Sequence, residues 1–413
     1  MGKTKEILYN FIKNMMAYAI PVAILQFLVQ PLIARQLGEE KNGLFLTIAA
    51  LNYFITAITA SVLLHTRLLQ NEKYEKENLT GDYNPILLAM AFINALIMLI
   101  ASRIYMGNTA TILDIALCVV ISLLFLVHDY ICVQYRMELN YTKILMSNVV
   151  LCVGYVIGCM VYLWLVPYWQ IVFIVAYLLC EVYDITHTTC LREPLRRTPL
   201  FGDTLKRYFI IAGASVLSHL IAYGDRLLLY PVSNGSTVSV FTSAEIMGKM
   251  LMLIASPLSA FLLSYLVKEN TFKLKLNKKL ALIFLGFFAA AYGICYLLSI
   301  PMLNLLYPVW AERAMVYVPL TTLTSLVNLI IAVSNIFIIR FAKSKWQLVI
   351  NGSYLVVYLL LSFLLLSLYG LMGFCIGNLI AAVFKLMVIF LVGKFAIPKA
   401  AVPAEQAQSV TSE

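Results

Sequence analysis

Apolar residues run along this chain in long, nearly unbroken blocks. They do not alternate with polar ones, nor do they recur every third or fourth position against a polar face. About twelve blocks approach the roughly 20 residues that a helix needs to cross a hydrocarbon core. They lie near 10–34, 43–65, 85–103, 110–133, 144–166, 168–187, 208–229, 237–267, 280–300, 314–340, 347–368 and 371–393. Most breaks are charged or rich in Pro and Gly, but Pro167-Tyr168 alone divides the fifth block from the sixth, and Tyr369-Gly370 the last two. Because backbone polar groups find no water inside lipid, each block predicts a membrane-spanning helix.

The placement of basic residues supports that count. With an inside N-terminus, 23 Lys and Arg residues fall on one side of the membrane, 4 on the other, and Arg226, Lys249 and Lys385 lie within spans. The inside group includes Arg67, Lys73 and Lys76, Arg192, Arg196 and Arg197, and Lys273, Lys275 and Lys278. Arg35, Lys41, Arg103 and Arg313 form the outside group. A miscounted helix would scramble this alternation from that point onward, so the positive-inside rule predicts twelve spans with both termini cytoplasmic.

Composition then removes whole classes of function. Of 413 residues, 62% are hydrophobic and 12% charged, and the mean hydropathy is +0.89. No soluble core absorbs that excess, which excludes a soluble enzyme, a disordered chain and a secreted disulfide scaffold. The net charge of +10 follows from the inside loops and implies no nucleic acid. The eight cysteines show no CxxC or Cys/His spacing and read as small apolar fillers, neither disulfides nor metal ligands. Nucleotide-binding, zinc-protease and serine-hydrolase motifs are absent, no cofactor is implied, and a transporter is the economical reading.

The longest basic loop follows the sixth span. It divides the chain into a six-helix lobe at 1–190, a cytoplasmic linker at 191–207, a second six-helix lobe at 208–395, and a tail at 396–413 whose Ala, Gln, Ser and Pro content predicts disorder. Six spans per lobe give both halves the same orientation.

Charged groups at mid-bilayer cost about 2.5–3.5 kcal/mol or more, so polar residues inside spans are the candidates for function. In the first span Asn10, Asn14, Tyr18, Gln26 and Gln30 follow an i, i+4 ladder, with Pro21 in the gap. Pro21 and Pro31 should bend or locally unwind this helix. The second span carries Asn52, Thr56 and Thr59 on one face. The seventh repeats the pattern with Ser215, His219, Tyr223 and Arg226, and adds Asp225, which diverges from Arg226 by about 100°. The eighth holds Glu245 and Lys249 in the favourable i, i+4 order. Of these, Asn14, Gln26, Gln30, Asn52, Thr56, Ser215, His219, Tyr223, Arg226 and Lys249 read as substrate-binding candidates, with Asp225 and Glu245 as ion-coupling candidates. Structural alternatives stand beside them: amide bonding between helices, an interfacial Asp225–Arg226 pair, and a Glu245–Lys249 pair serving packing alone. Lys385 fits a side chain reaching to the inner interface. Asp114, Asp129, Glu181 and Asp184 fall nearer span ends, where solvation is easier.

Two short motifs resemble a known family. Arg35-Gln36-Leu37-Gly38 followed by Gly43-Leu44-Phe45 is similar to the stretch after the first helix of bacterial polysaccharide exporters. Asp225-Arg226-Leu227-Leu228-Leu229 resembles a segment at the outer end of their seventh helix. With twelve spans, the chain resembles an O-antigen (Wzx-type) flippase of the multidrug/oligosaccharidyl-lipid/polysaccharide (MOP) superfamily. The second half departs from the pattern, with Pro231-Val232-Ser233-Asn234-Gly235 where a Leu-Gly is expected. The resemblance implies an all-α, MATE-like fold of two six-helix lobes, with the first, second, seventh and eighth spans lining a central cavity. It implies a multi-pass protein of the bacterial inner membrane whose cargo is an oligosaccharide repeat unit on undecaprenyl diphosphate, handed on to polysaccharide polymerase or chain-length machinery.

Three other readings compete. A multidrug/cation antiporter of the same superfamily would want unpaired carboxylates in its cavity. A major-facilitator transporter also has twelve spans, but its characteristic loop is absent between Leu64 and Asn84. A membrane glycosyltransferase or polymerase would need a sizeable outer loop, and no outside loop here exceeds about fifteen residues.

Overall fold

The computed structural model describes residues 3–107, 110–253, 259, 278–342 and 345–396. All regular structure among them is helical. The helices are α1 (Lys3–Ile24), α2 (Gln30–Lys76), α3 (Tyr83–Met106), α4 (Ile112–Met137), α5 (Tyr141–Trp164), α6 (Gln170–His187), α7 (Phe201–Val232) and α8 (Gly235–Ala244). They continue as α9 (246–253), α10 (Lys278–Leu306), α11 (Ala311–Met315), α12 (Val318–Phe341) and α13 (Lys345–Ala396).

Nine stretches among the described residues are long and apolar enough to cross a membrane. The first and last are each double, because α2 and α13 contain one non-helical residue apiece. Gly38 has φ +73° and Gly370 has φ +61°, a region open to glycine at no Cβ cost. Each kinks the chain between two helical arms, one at the Tyr369-Gly370 break and the other at the Leu37-Gly38 motif. Eleven of the twelve predicted spans are thereby accounted for. The eighth is described through α8 and α9, and most of its remainder lies outside the described residues. Of the predicted tail at 396–413, Ala396 ends α13 and the rest lies outside the described residues too.

The predicted weakness of the first span is also present. Between Pro21 and Pro31 the helix widens into a π turn over Leu25–Val29. Proline lacks an N–H and crowds the preceding turn, which explains a local change of winding here.

Compact packing divides the chain between Ser239 and Val240. In the first unit, Leu63 and Tyr74 of α2, Met90 of α3, Leu126 and Tyr130 of α4 and Tyr208 of α7 share one buried core. The helix after the basic loop therefore packs with the helices before it. In the second unit Val327, Ile331 and Ile338 of α12 meet Ile350, Ala382 and Ile389 of α13. Large apolar side chains such as Phe92 (72% exposed) and Leu360 (65%) face outward, as lipid-facing positions should. The protein is a multi-pass membrane protein.

The basic loop is tied down. Asn84 Nδ2 donates to the carbonyls of Cys190, Leu191 and Glu193 at 3.1, 3.3 and 2.9 Å. Thr198 N–H donates to Asp82 Oδ1 at 2.6 Å, and Arg67 pairs with Glu193. Phe201–Arg207, read from sequence as linker, form the first turns of α7.

Candidate functional site

The four α7 candidates lie on the first unit, and α2 is their neighbour. Ser215 Oγ donates to the Ala57 carbonyl of α2 at 3.2 Å. His219 Nδ1 lies 2.8 Å from the Ser215 carbonyl and 3.1 Å from its hydroxyl, so Nδ1 is the protonated nitrogen if the carbonyl is its partner. One turn on, the Tyr223 ring stacks near that of His219, 6.3 Å between centroids at 12°. Across the helix pair it faces Tyr53 of α2, at 6.1 Å and 15°. Arg226 lies within electrostatic reach of both the Tyr53 and Tyr223 hydroxyls. The structure thus gathers Ser215, His219, Tyr223 and Arg226 on one stripe. It adds Tyr53, which the sequence reading missed because a tyrosine in an apolar block carries no pattern of its own.

On α2, Asn52 is 1% exposed and Thr56 5%. Asn52 Nδ2 donates back to the Ile48 carbonyl at 3.1 Å. Its Oδ1 and the Thr56 hydroxyl are buried without a hydrogen-bond partner among the described residues, as is Gln26 Oε1 in the π turn. Thr59, on the same face, is satisfied by the Ile55 carbonyl at 2.8 Å. Buried polar atoms left open in this way cost about 1–3 kcal/mol each, and persist where water or a ligand completes them. Gln30 is half-buried. The side chains of Asn10 and Asn14 lie outside the described residues. Tyr18, the remaining member of that ladder, is exposed and accepts from the Arg136 guanidinium.

Asp225 turns back on its own helix, where Oδ1 accepts from the Arg226 N–H at 2.8 Å. In the second unit, Lys249 Nζ lies 3.2 Å from Glu245 Oε2, both side chains about a quarter exposed at 27% and 22%. The pair sits where α12 crosses. Thr321 Oγ1 donates to the Ala244 carbonyl at 2.9 Å, and a Cβ on Gly248 would stand 2.0 Å from Ser325 Oγ. Lys385 shares α13 with Tyr354. Its Nζ stands 4.6 Å from the centre of the Tyr354 ring, a cation–π contact inside the same unit.

One expectation is corrected. Glu181 and Asp184 are not solvated by lying near a span end, being 8% and 0% exposed. Asp184 accepts from Tyr135 OH and Ser147 Oγ, each at 3.0 Å. Asp129 accepts from Ser61 Oγ of α2. Asp114 does serve a helix end, completing a capping box with Thr111 on α4.

No protein-family model matches the sequence, and no curated protein is significantly similar to it. Solved structures are similar across nearly the whole chain. The lipid II flippase MurJ in an inward closed conformation superposes with a TM-score of 0.71, at 15% identity over 97% of this chain and 90% of that one. An inward-facing multidrug resistance MATE family transporter of the MOP superfamily gives 0.62, at 15% identity over 92% and 99%. A MOP superfamily transporter from Pyrococcus furiosus, described as having a binding pocket of reversed polarity, gives 0.55 at 16% over 93% and 94%. At these identities the likeness is one of fold, and the chain has the fold of the MOP superfamily transporters.

Proposed function

We propose that the protein is a flippase that carries an oligosaccharide repeat unit, linked to undecaprenyl diphosphate, across the bacterial inner membrane by alternating access. The observation that carries this reading is the α2–α7 arrangement. A permanent cation, Arg226, lies within electrostatic reach of two stacked tyrosines, Tyr53 and Tyr223, on the helix that carries the Ser215–His219 pair, and α2 contributes the open polar atoms of Asn52 and Thr56. The family motifs around Gly38 and Arg226 support the same reading.

The chemistry suits such a cargo. A sugar head group cannot enter hydrocarbon, whereas its polyprenyl tail need never leave it. A guanidinium grips phosphate oxygens through parallel hydrogen bonds, and amides, hydroxyls and tyrosine faces bind sugars. Lys249 is the cation of the second unit to test for a role in transport, and Asp225 and Glu245 are the groups to test for ion coupling. Both termini are assigned to the cytoplasm, and a polymerase or chain-length machinery would receive the cargo outside.

A multidrug/cation antiporter is the second reading, favoured by the MATE transporters among the structural neighbours and by buried Glu181 and Asp184. Deleting the gene in its host separates the two. A flippase mutant accumulates unpolymerised lipid-linked units and loses surface polysaccharide, both restored in trans. Intact surface glycan with new sensitivity to cationic drugs would establish the antiporter instead.

A further inference from the structure

Two helices of the first unit bring one imidazole, one thiol and one carboxylate together in a buried place. His128 comes from α4, while Cys180 and Asp184 stand one turn apart on α6. Asp184 and Cys180 are 0% exposed and His128 is 8% exposed. His128 Nδ1 lies 3.3 Å from Asp184 Oδ2 and 3.5 Å from Cys180 Sγ, and that sulfur is 3.6 Å from the same carboxylate oxygen.

These three edges can be compared with a coordination polyhedron. Zinc binds imidazole nitrogen and carboxylate oxygen at about 2.0–2.1 Å and thiolate sulfur at about 2.3 Å, with tetrahedral angles. Those radii require ligand–ligand edges of about 3.3 Å for N–O and about 3.5 Å for S–N and S–O. The observed triangle has those proportions. A direct charge-assisted imidazolium–carboxylate bond would close to about 2.7–2.9 Å, well inside the observed separation.

The surroundings also resemble those of a metal site. The second carboxylate oxygen, Asp184 Oδ1, accepts from Tyr135 OH at 3.0 Å. Ser147 Oγ lies 3.0 Å from Oδ2 and 3.2 Å from Cys180 Sγ. Such outer partners orient and hold anionic ligands. A divalent ion would also settle the charge balance. One thiolate and one carboxylate neutralise it inside a low-dielectric helix bundle, where an isolated anion would be expensive.

We propose that His128, Cys180 and Asp184 form a binding site for one Zn2+-class ion, with water as fourth ligand, which pins α4 to α6. The mixed N, S, O donor set selects a borderline-soft metal over Na+, Mg2+ or Ca2+, whose ligands are oxygens. The site does not depend on the nature of the transported cargo, since it rests on packing within one unit.

The test uses the full-length protein purified in detergent, stripped with chelator and titrated with Co2+. Wild type should take up about one cobalt per chain, with tetrahedral visible bands and a thiolate-to-cobalt charge-transfer band, both removed by added Zn2+. Cys180→Ser should lose the charge-transfer band, and Asp184→Asn should weaken uptake at least tenfold while eluting as a monodisperse species. Cys295→Ser, in the second unit, should match wild type. Featureless cobalt spectra with no zinc retained through gel filtration would overturn the site and leave a proton-only cluster. Unchanged bands in Cys180→Ser would overturn the ligand assignment.

Discussion

The carboxylate of Glu40 caps a helix that begins 195 residues later: its two oxygens accept the N–H groups of Gly235 and Ser236 at 2.9 and 2.8 Å. The first turn of any helix has unpaired N–H groups and the positive end of the dipole, and here both are met by a side chain just past the Gly38 kink. Backbones touch at the same place. A Cβ on Gly43 would stand 1.9 Å from the Gly235 carbonyl oxygen, and one on Gly235 would stand 2.1 Å from that of Glu40. The motif glycines thus have separate tasks, Gly38 kinking the chain and Gly43 admitting the backbone at Gly235.

Gly43→Ala and Gly235→Ala should each destabilise the protein by about 1–3 kcal/mol through overpacking. Glu40→Ala should cost about 1 kcal/mol through loss of the cap. Thermal melting of the detergent-purified protein, with membrane abundance by immunoblot, checks both. Equal melting of Gly43→Ala and wild type would refute the close approach.

Topology can be tested against a quiet background, because all eight native cysteines are buried and free. A cysteine placed at Ser233 should react with an impermeant maleimide in intact spheroplasts, whereas cysteines at Lys76 and Arg196 should react only after lysis. Labelling of the Arg196 position from outside would overturn the twelve-span arrangement with inside termini.

The Glu245–Lys249 pair separates structure from transport. Lys249→Ala leaves a carboxylate without its nearest cation in a partly buried place, which lowers abundance unless Glu245 takes up a proton. Glu245→Gln/Lys249→Gln removes both charges and should recover abundance. If Lys249 also serves the anionic head group, flipping stays low in that double variant. Full flipping at equal abundance would make the pair purely structural.

Arg226→Lys keeps a cation but not the planar fork that grips two phosphate oxygens. It should insert and fold normally yet slow flipping about tenfold or more, a loss on the scale of one charged hydrogen bond. Arg226→Ala should be slower still. A structural Arg226 would give the reverse pattern, with lysine tolerated and alanine lowering abundance while the remaining protein stays active.

Much of this was legible in the sequence because membranes impose a simple code. Span length, basic loops and the two prolines of the first helix marked the architecture, and the helical repeat placed Ser215, His219, Tyr223 and Arg226 on one stripe. Other features depend on contacts between distant segments. Tyr53 meets Tyr223 across two helices, and His128 meets Asp184 across α4 and α6. Each of those residues, read in its own segment, is an ordinary polar residue in an apolar run. Asp184 was misread for that reason: distance along a helix to its end says nothing about whether neighbouring helices cover it.

The central claim is that a lipid-linked oligosaccharide crosses the bilayer through this protein. The direct measurement reconstitutes the purified chain in liposomes with a fluorescent undecaprenyl-diphosphate oligosaccharide and follows how much of the label an impermeant quencher can reach. Wild-type protein should equilibrate the lipid between leaflets, raising the quenched fraction from about half towards completion, and Arg226→Ala should leave the inner half protected. Protection unchanged by wild-type protein, together with proton- or sodium-driven export of a cationic dye from the same liposomes, would contradict the flippase and establish the antiporter.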